Sequence, residues 1–450
     1  MWFQKCQVST LRFWKDADRF LNSIAQVVED GLCTGCGACA GVCPAKAIEM
    51  QVQDGLLIPK MECDRCTVCR VCVQVCPGHS VDLAGLSPKT SAKHSQDLLL
   101  GNYLNCYLAH SNDDGIRDKS SSGGTVTQLL VYALKKGMID GALVTRWSKA
   151  NPLEPESFIA RTEEEIVSAC KSKYCPVAVD VVLEEILSEK GKYAVVGLPC
   201  HIHGIRKAEA VFWELKKRIV LHVGIFCGHT VNFLGTELLL RKLRISREDV
   251  VSIHYRGSGW PGFLVVRLRD GKEVKVRFSR GWSAYWNIFS PFFFTPLRCM
   301  MCPDQFNELS DISVGDAWLP ELLARHDAGE SLVITRTETA EEIVGAMKRE
   351  SLLSLSAISA RRTKASQDFA LGFKKEKLPG RLAFFRVLGI RTPELNLKPN
   401  ASSCTAWLSA FLAYASFRAS SNKLSRNLLA YVPLPIFRLY FGLFRCLSLI

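Results

Sequence analysis

Two runs of cysteines with the same spacing constrain this chain more than any other feature. Each run reads C-x2-C-x2-C-x3-C and is followed at once by a proline. The cysteines are Cys33, Cys36, Cys39 and Cys43 in the first run and Cys66, Cys69, Cys72 and Cys76 in the second. Three closely spaced cysteines on one tight loop place three thiolates around one small volume. The proline after the fourth cysteine ends each loop.

This doubled run is the bacterial ferredoxin signature for two 4Fe–4S clusters. In that pattern the fourth cysteine of each run ligates the other cluster. The predicted ligand sets are Cys33, Cys36, Cys39 and Cys76 for one cluster, and Cys66, Cys69, Cys72 and Cys43 for the other. Zinc sites usually separate two C-x2-C pairs by a longer loop, which these runs do not have. Cys63 lies one further x2 step before Cys66, and it is either a spare thiol or a rival ligand.

The overall composition predicts a multidomain protein of a reducing compartment. The chain has 450 residues and 19 cysteines, and charged residues interrupt its first thirty, so no secretory signal is expected there. We predict a cytoplasmic protein, with peripheral attachment to the cytoplasmic membrane face as an option. The predicted divisions are an amphipathic helix in residues 1–30, the cluster module in 31–79, a linker in 80–100, a larger body in 101–380 and a basic apolar tail in 381–450.

The body reads as a mixed α/β fold. Strands are predicted at Tyr193–Val196 and Arg218–Phe226 with a helix between them, a βαβ unit that implies a parallel sheet. Cys200 and Cys227 then lie at the carboxyl ends of neighbouring strands, where open α/β sheets bind ligands. A later stretch predicts strands around an Asp270-Gly271 hairpin turn.

Four cysteines of the body are candidates for a third 4Fe–4S cluster. Cys299 and Cys302 form a C-x2-C pair, and Cys200 and Cys227 follow the two predicted strands. A zinc ion, or unliganded buried thiols, are the alternatives.

The tail is basic, aromatic and free of acidic residues. After Glu394 there are six lysines and arginines and no aspartate or glutamate, against a net charge of +13 for the whole chain. Such a composition is typical of a segment that lies on an anionic membrane surface. One alternative is a true membrane span by the uncharged stretch 399–417, which is about long enough. The other is a helical tail packed on the body or on a partner subunit. Nucleic acid is not an expected partner, because no binding motif accompanies the charge.

Six short phrases, in order, resemble the coenzyme F420 hydrogenase/dehydrogenase beta-subunit family from about residue 30 to about residue 375. Coenzyme F420 is a deazaflavin and not a residue of this chain. The phrases are Ser121-Ser122-Gly123-Gly124 with Thr127, Lys171-Ser172-Lys173-Tyr174, Gly197-Leu198-Pro199-Cys200, Tyr255-Arg256-Gly257, Gly259-Trp260-Pro261-Gly262 and Asp311 to Trp318. The resemblance implies FAD, iron–sulfur clusters and two-electron exchange with a deazaflavin. Some relatives instead use ferredoxin to reduce an organic substrate.

Within that resemblance, two segments are candidates for holding FAD. Ser122, Gly123, Gly124 and Thr125 precede a predicted helix whose free N–H groups suit a phosphate, and Thr127 belongs to the same phrase. Lys171, Ser172, Lys173 and Tyr174 offer two cations, a hydroxyl and a ring. Arg256 is a further candidate for a phosphate or carboxylate. From the residues alone, a flexible turn, a solvated helix end and a surface ion pair are the respective alternatives.

The predicted function is an FAD- and 4Fe–4S-dependent oxidoreductase. It would exchange a hydride with coenzyme F420 at FAD and pass single electrons through the clusters to a redox protein partner, ferredoxin or another subunit. One alternative is a ferredoxin-dependent reductase of a small organic substrate, and another is a non-catalytic electron-wiring subunit. The sequence identifies no catalytic acid or base.

Overall fold

The computed structural model describes residues 23–88, 95–278, 284–324, 329–396 and 403–449. Nearly all of the predicted N-terminal helix therefore lies outside the described residues. The cysteine-rich region and the stretch after it contain short elements: α1 Ile24–Glu29, α2 Ala38–Gly41, β1 Ile48–Gln53, β2 Leu56–Met61, α3 Val71–Gln74, β3 Ser80–Val81, α4 Leu83–Leu86, β4 Ser95–Asp97 and β5 Gly101–Tyr103. The segment predicted as a linker thus carries two short strands and a helical turn.

The body then alternates strands and helices as the apolar pattern predicts. Its first half comprises β6 Asn105–Ser111, α5 Asp114–Lys119, α6 Thr125–Lys135, β7 Gly141–Trp147, β8 Pro155–Ala160, α7 Glu163–Ser168, α8 Leu183–Ser188, β9 Tyr193–Gly197, α9 Pro199–Val211, α10 Trp213–Arg218 and β10 Ile219–Ile225. Its second half comprises α11 Phe233–Lys242, β11 Val250–Gly257, β12 Phe263–Leu268, β13 Glu273–Arg277, α12 Ala284–Phe289, β14 Ile312–Asp316, α13 Pro320–Leu323, β15 Ser331–Thr335, α14 Glu338–Arg349 and β16 Leu353–Ala357.

The remaining elements are helical except for one short strand. They are α15 Ala360–Ala365, α16 Asp368–Leu371, a π-helical turn at Gly372–Glu376, α17 Leu378–Val387, β17 Glu394–Leu395, α18 Cys404–Ser421, α19 Lys423–Leu429 and α20 Leu434–Leu449. The described part of the stretch that is a candidate membrane span, residues 404–417, forms most of α18. Alanine and serine side chains on one face of α18 are buried.

An eight-stranded mixed sheet organises the body, in the order β16-β6-β15-β14-β10-β9-β7-β8. The four central strands β14, β10, β9 and β7 run parallel, and the outer pairs are antiparallel. The predicted βαβ unit is confirmed, since β9 and β10 pair in parallel with α9 between them. The predicted hairpin is also present, because β12 and β13 pair on either side of Asp270-Gly271.

The cysteine-rich region packs tightly on the body. One hydrophobic core joins Ala38, Val42 and Val75 of that region to Leu183 and Ile202 of the body. A shared core of this kind fixes the position of the two cysteine runs relative to the sheet, because buried apolar surface resists separation. Distances between the cysteine sets are thus set by packing and not by a tether.

A buried ionic network stabilises the sheet away from the strand ends. His222 in β10 lies 2.7 Å from a Glu209 oxygen and 2.9 Å from an Asp311 oxygen, and Arg206 pairs with both carboxylates. Burial and Arg206 lower the pKa of His222, but Glu209 and Asp311 outweigh them, so the pKa is raised. The imidazole is therefore held in its charged form by two carboxylates.

Candidate functional site

A cavity of about 470 Å³ lies at the carboxyl ends of the central strands. Gly197 ends β9, Cys227 follows β10 and Asp316 ends β14, and all three line the cavity. This is the position expected for a ligand site in an open α/β sheet. The volume lies within the range of about 300–1,000 Å³ that is usual for cofactor and ligand sites.

The glycine-containing loop before α6 forms one wall of the cavity. Ser122, Gly124, Thr125 and Thr127 line it, whereas Gly123 lies behind them, where a Cβ atom would come within 2.4 Å of the Ala109 carbonyl oxygen. Gly124 takes φ +76° and caps α6 without a side-chain hydrogen bond. The first N–H groups of α6 are therefore without a side-chain cap beside the cavity, as an anion-binding helix start requires.

Lys171, Ser172, Lys173 and Tyr174 line the same cavity. The backbone N–H of Ser172 donates to Ser121 Oγ at 2.9 Å, which ties this segment to the glycine loop. Two segments that are fifty residues apart in the sequence thus form one surface.

The two lysines of that segment have different environments. Lys173 Nζ donates to the carbonyl oxygens of Ala169, Cys170 and Lys171 at 2.6 to 3.0 Å, and burial lowers its pKa to about 8. Among the described residues, Lys171 Nζ has no hydrogen-bond or ion-pair partner. Lys171 is therefore the cation that remains available to an anionic cofactor, while Lys173 satisfies the carbonyl groups that follow α7.

Aromatic side chains form a second wall. Tyr174 stacks on Phe278 with ring centroids 5.9 Å apart and an interplanar angle of 17°, and it lies 5.1 Å from Tyr285. Trp286 and Trp318 extend this wall and line the cavity as well. Flat apolar surfaces of this size suit a planar ring system.

Arg256 has a different role from the one the sequence suggests. It is 1% exposed and is absent from the cavity lining. Its guanidinium donates to the carbonyl oxygens of Pro261 and Ser121, to Tyr174 Oη at 3.3 Å and to Asp316 Oδ2 at 2.9 Å. These bonds leave little donor capacity for a phosphate, so Arg256 is a positioning residue that holds both walls of the cavity from behind.

Four cysteines of the two runs come together as the first predicted ligand set. Burial raises the pKa of Cys39, and the thiols of Cys36, Cys33 and Cys76 raise it further because they face it. Burial likewise raises the pKa of Cys33 to about 12. Three buried thiols and the half-buried Cys33 around one volume suit a cluster, because iron would replace the protons that burial otherwise retains.

The second set lies closer to the surface. Burial raises the pKa of Cys72 to about 11, and Cys69 and Cys66 contribute, so these three thiols are neighbours. The thiol of Cys72 also raises the pKa of Cys39, which indicates that the two sets lie side by side. Cys43 is half-buried and accepts the Ala47 N–H at 3.4 Å. Cys63 is exposed.

The four cysteines of the body also meet. Burial raises the pKa of Cys200, and Cys36, Cys227, Cys299 and Cys302 raise it further. Cys200 and Cys227 follow the parallel strands β9 and β10. Cys299 lies in a turn at Leu297–Met301, and Cys302 is the residue after that turn. Two strand ends and a loop 72 to 99 residues further along the chain thus lie close together. Cys36 of the first set is among their neighbours.

Three buried cations surround the body cysteines, and no pattern in the sequence pointed to them. Lys374 Nζ donates to the Cys227 and Asp304 carbonyl oxygens at 2.5 and 2.6 Å and lies 3.5 Å from Cys302 Sγ. Burial lowers its pKa, but Cys302, Cys227 and Asp304 outweigh this effect and raise it. Lys374 also lines the cavity. It therefore links the cavity to the third cysteine set as a charged group.

The other two cations are guanidinium groups that hold the Leu297–Met301 turn. Arg298 donates to the carbonyl oxygens of Pro77, Gly78 and Met301, so it joins the turn to the end of the second cysteine run. Arg381 donates to the Met300 carbonyl oxygen, and burial lowers its pKa to about 9. Positive charge at this point would offset the negative charge that four metal-bound thiolates carry.

Helix α9 brings the first and third cysteine sets into contact. Cys200 lies in its first turn, and Gly204 follows four residues later on the same face. A Cβ atom at Gly204 would lie 3.6 Å from Cys36 Sγ and 2.6 Å from an Asp180 oxygen. Asp180 is fully buried beside Cys36, and burial raises its pKa. The glycine therefore permits a close approach that a larger residue would prevent.

Two histidines near Cys200 have structural partners. His201 Nδ1 accepts the Leu198 N–H at 3.1 Å, and burial lowers the pKa of this imidazole to about 4. His203 lies 2.8 Å from Asp304 Oδ2. Both side chains are buried and hold the start of α9 in place.

Among the described residues, no group of three or more histidine, cysteine, aspartate or glutamate side chains is placed to hold a single metal ion. A 4Fe–4S cube holds its four thiolates further apart than one zinc ion does, because the cube lies between them. A cysteine set that suits a cube therefore need not suit a single ion. The described cysteines include no disulfide.

Three family models match consecutive parts of the chain. Residues 106–184 match the model for the N-terminal part of the coenzyme F420 hydrogenase/dehydrogenase beta subunit, and residues 190–361 match the model for the C-terminal part of the same beta subunit. Residues 32–80 match a 4Fe-4S dicluster domain. The three matches follow one another along the chain.

Two curated proteins illustrate this similarity. The chain is 28% identical over 303 residues to coenzyme F420 hydrogenase subunit beta of Methanothermobacter thermautotrophicus, covering 66% of this chain and 100% of that protein. It is 28% identical over 356 residues to coenzyme F420-dependent sulfite reductase of Methanocaldococcus jannaschii, covering 75% of this chain and 49% of that protein. It therefore spans about half the length of the reductase.

A solved structure has a similar fold. A chain of the F420-reducing NiFe hydrogenase complex from Methanosarcina barkeri superposes with a TM-score of 0.54 at 24% identity, covering 66% of this chain and 99% of that chain. This likeness concerns the fold alone. With the two adjoining family models and the ordered phrases, the matches place the chain in the coenzyme F420 hydrogenase/dehydrogenase beta-subunit family, with a 4Fe-4S dicluster domain at its N-terminus.

Proposed function

We propose that this chain is an FAD- and 4Fe–4S-dependent oxidoreductase that exchanges a hydride with coenzyme F420 and single electrons with a redox protein partner. One observation carries the proposal. A single cavity is lined both by the glycine loop with Lys171 and by Cys227 of the third cysteine set with the neighbouring Lys374. The names of the relatives, a coenzyme F420 hydrogenase subunit and an F420-dependent reductase, support the choice of substrate.

The lining residues fit FAD. The uncapped start of α6 and Lys171 would bind its diphosphate, and Tyr174 with the aromatic wall would flank a planar ring. Arg256 would keep both walls in register through Tyr174 and Asp316. When bound, FAD supplies the change from two-electron to one-electron chemistry that a deazaflavin and an iron–sulfur cluster together require.

The cysteine sets fit a relay of three 4Fe–4S clusters. The third set adjoins the cavity through Cys227, and it adjoins the first set through Cys200 and Cys36. The second set is the most exposed and lies beside the first. A partner's electrons would then enter or leave at Cys66, Cys69, Cys72 and Cys43. Either direction of flow is compatible with the arrangement.

Anaerobic reconstitution with iron, sulfide and FAD tests the proposal. The purified holoprotein is mixed with reduced coenzyme F420 or with reduced ferredoxin, and flavin and cluster absorbance are followed. Bleaching of bound flavin by reduced coenzyme F420 is the expected result. Reduction by ferredoxin alone would instead indicate a reductase of another substrate, and clusters without any flavin would indicate a wiring subunit.

A matched pair of variants separates cofactor loss from misfolding. Lys171→Ala removes the available cation of the cavity, whereas Lys135→Ala removes an exposed lysine that pairs with Glu163 outside it. The first variant is expected to release FAD on dilution and the second to retain it. Equal retention in both would remove Lys171 from the proposed site.

A further inference from the structure

We propose that the hairpin formed by α19 and α20 docks the protein on an anionic membrane surface. The two helices meet at an angle of 109°, and together they have the length and apolar composition of a broken membrane span. No single helix of the described residues is long and apolar enough to cross a bilayer. Length and composition alone do not show which way the apolar side chains face. The burial pattern does.

Helix α20 is apolar on two faces. Phe437, Phe441 and Phe444 recur at helical spacing and are buried. Ile436, Leu439 and Leu443 recur on another face and are exposed, with Leu439 at 75% and Leu443 at 53%. A helix that only packs on a soluble body needs the first face and not the second.

Large apolar side chains are also exposed in α19 and in the connection to α20. Leu424 is 79% exposed, Leu428 is 66% exposed and Tyr431 is 79% exposed. Large apolar side chains at this density, spread over one hairpin, form the kind of patch that marks an interaction site.

The charges around this patch select its partner. Lys423, Arg426, Arg438 and Arg445 lie on the same two helices, and no acidic residue occurs after Glu394. Leucine and tyrosine side chains between cations match the boundary between anionic headgroups and acyl chains. A protein partner would need a complementary acidic face, and a second copy of this hairpin would bring like charges together. The charge pattern therefore favours a membrane.

The buried face of the hairpin reaches the cavity wall. Phe444 lies 5.7 Å from Phe292 and 6.5 Å from Phe373, measured between ring centroids, and both of these residues line the cavity. A docked hairpin would thus hold the redox site close to the membrane surface. This inference does not depend on the identity of the substrate.

Vesicle sedimentation with the full-length holoprotein tests the inference. Vesicles of phosphatidylcholine are compared with vesicles that contain about 30% phosphatidylserine. Wild-type protein is expected to sediment with the anionic vesicles and to dissociate as salt rises. The variant Leu439→Glu/Leu443→Glu is expected to bind at least about tenfold more weakly. It loses two leucines that the bilayer would bury and gains two negative charges that the anionic surface repels.

The control is Leu98→Glu/Val251→Glu, which makes the same change at exposed apolar positions outside the tail. It is expected to bind as the wild type does. Equal binding by the Leu439→Glu/Leu443→Glu variant, or no wild-type binding to anionic vesicles, would overturn the proposal. Concentration-dependent dimers that this variant abolishes, without vesicle binding, would assign the face to self-association and would also overturn it.

Discussion

Lys374 provides the sharpest test of the third cluster. Its ammonium group lies 3.5 Å from Cys302 Sγ and donates to the carbonyl oxygen of Cys227. Replacement by methionine removes a positive charge from beside the proposed cube and keeps a similar volume. A nearby positive charge stabilises the reduced, more negative cluster, so its removal must lower the reduction potential.

The size of the shift follows from the geometry. An iron bound to Cys302 would lie at most about 6 Å from the charge, because a metal–sulfur bond of about 2.3 Å would add to the 3.5 Å between Lys374 Nζ and Cys302 Sγ. A unit charge at about 6 Å and an effective dielectric constant of about 20 contributes about 3 kcal/mol, or about 120 mV for one electron. Relaxation around the vacated site reduces this effect. We expect a drop of about 50 to 150 mV.

Redox titration followed by electron paramagnetic resonance measures this shift. The matched control is Lys207→Met, because Lys207 Nζ donates to the Cys76 carbonyl oxygen at 2.7 Å beside the first set. Lys374→Met should move one potential and Lys207→Met a different one, with iron content unchanged in both. Potentials of Lys374→Met that all stay within about 20 mV of wild type would refute the reasoning, as would a shift of the same cluster by both variants.

Four further results are expected. Protein with three clusters should hold about twelve irons, and Cys302→Ser should hold about eight by colorimetric iron assay; eight irons in the wild type would contradict a third cluster. Lys171→Ala should weaken FAD retention about tenfold or more in equilibrium dialysis, whereas Lys173→Ala should mainly lower the apparent melting temperature, and the reverse pattern would exchange their roles. Gly204→Val should separate the first and third sets and slow reduction of the dicluster domain at least tenfold in stopped-flow absorbance, with flavin reduction unchanged; unchanged dicluster reduction would remove α9 from the relay. The raised pKa of His222 means that its charged form stabilises the fold fully below the unfolded pKa of about 6.5 and loses this effect as pH rises through the folded pKa. His222→Gln should therefore lower the apparent melting temperature more at pH 6 than at pH 9, and a larger loss at pH 9 would contradict the charged state.

Local patterns in the sequence predict much of this architecture. The parallel pairing of β9 and β10 follows from two apolar runs with a helix between them, and it brings Cys200 near Cys227 as expected. The spacing around Asp270-Gly271 likewise predicts the hairpin. These features depend on residues that are close along the chain or on a general rule of sheet topology.

Features that depend on distant contacts could not be predicted in this way. Lys374 and its neighbour Lys375 read as ordinary surface charge, and only the fold shows that Lys374 is buried against Cys302. The sequence makes Arg256 a candidate ligand for a phosphate or carboxylate. In the structure it bonds to Tyr174, Asp316 and two carbonyl groups.

The central claim is that electrons from reduced coenzyme F420 reach the dicluster domain through the cavity and the third cysteine set. Rapid mixing of reduced coenzyme F420 with holoprotein, followed by freeze-quench electron paramagnetic resonance, tests it most directly. Wild-type protein should show flavin bleaching and then reduced cluster signals, while Cys299→Ser/Cys302→Ser should show flavin bleaching without reduction of the dicluster domain. Full and equally fast dicluster reduction in this variant would contradict the account.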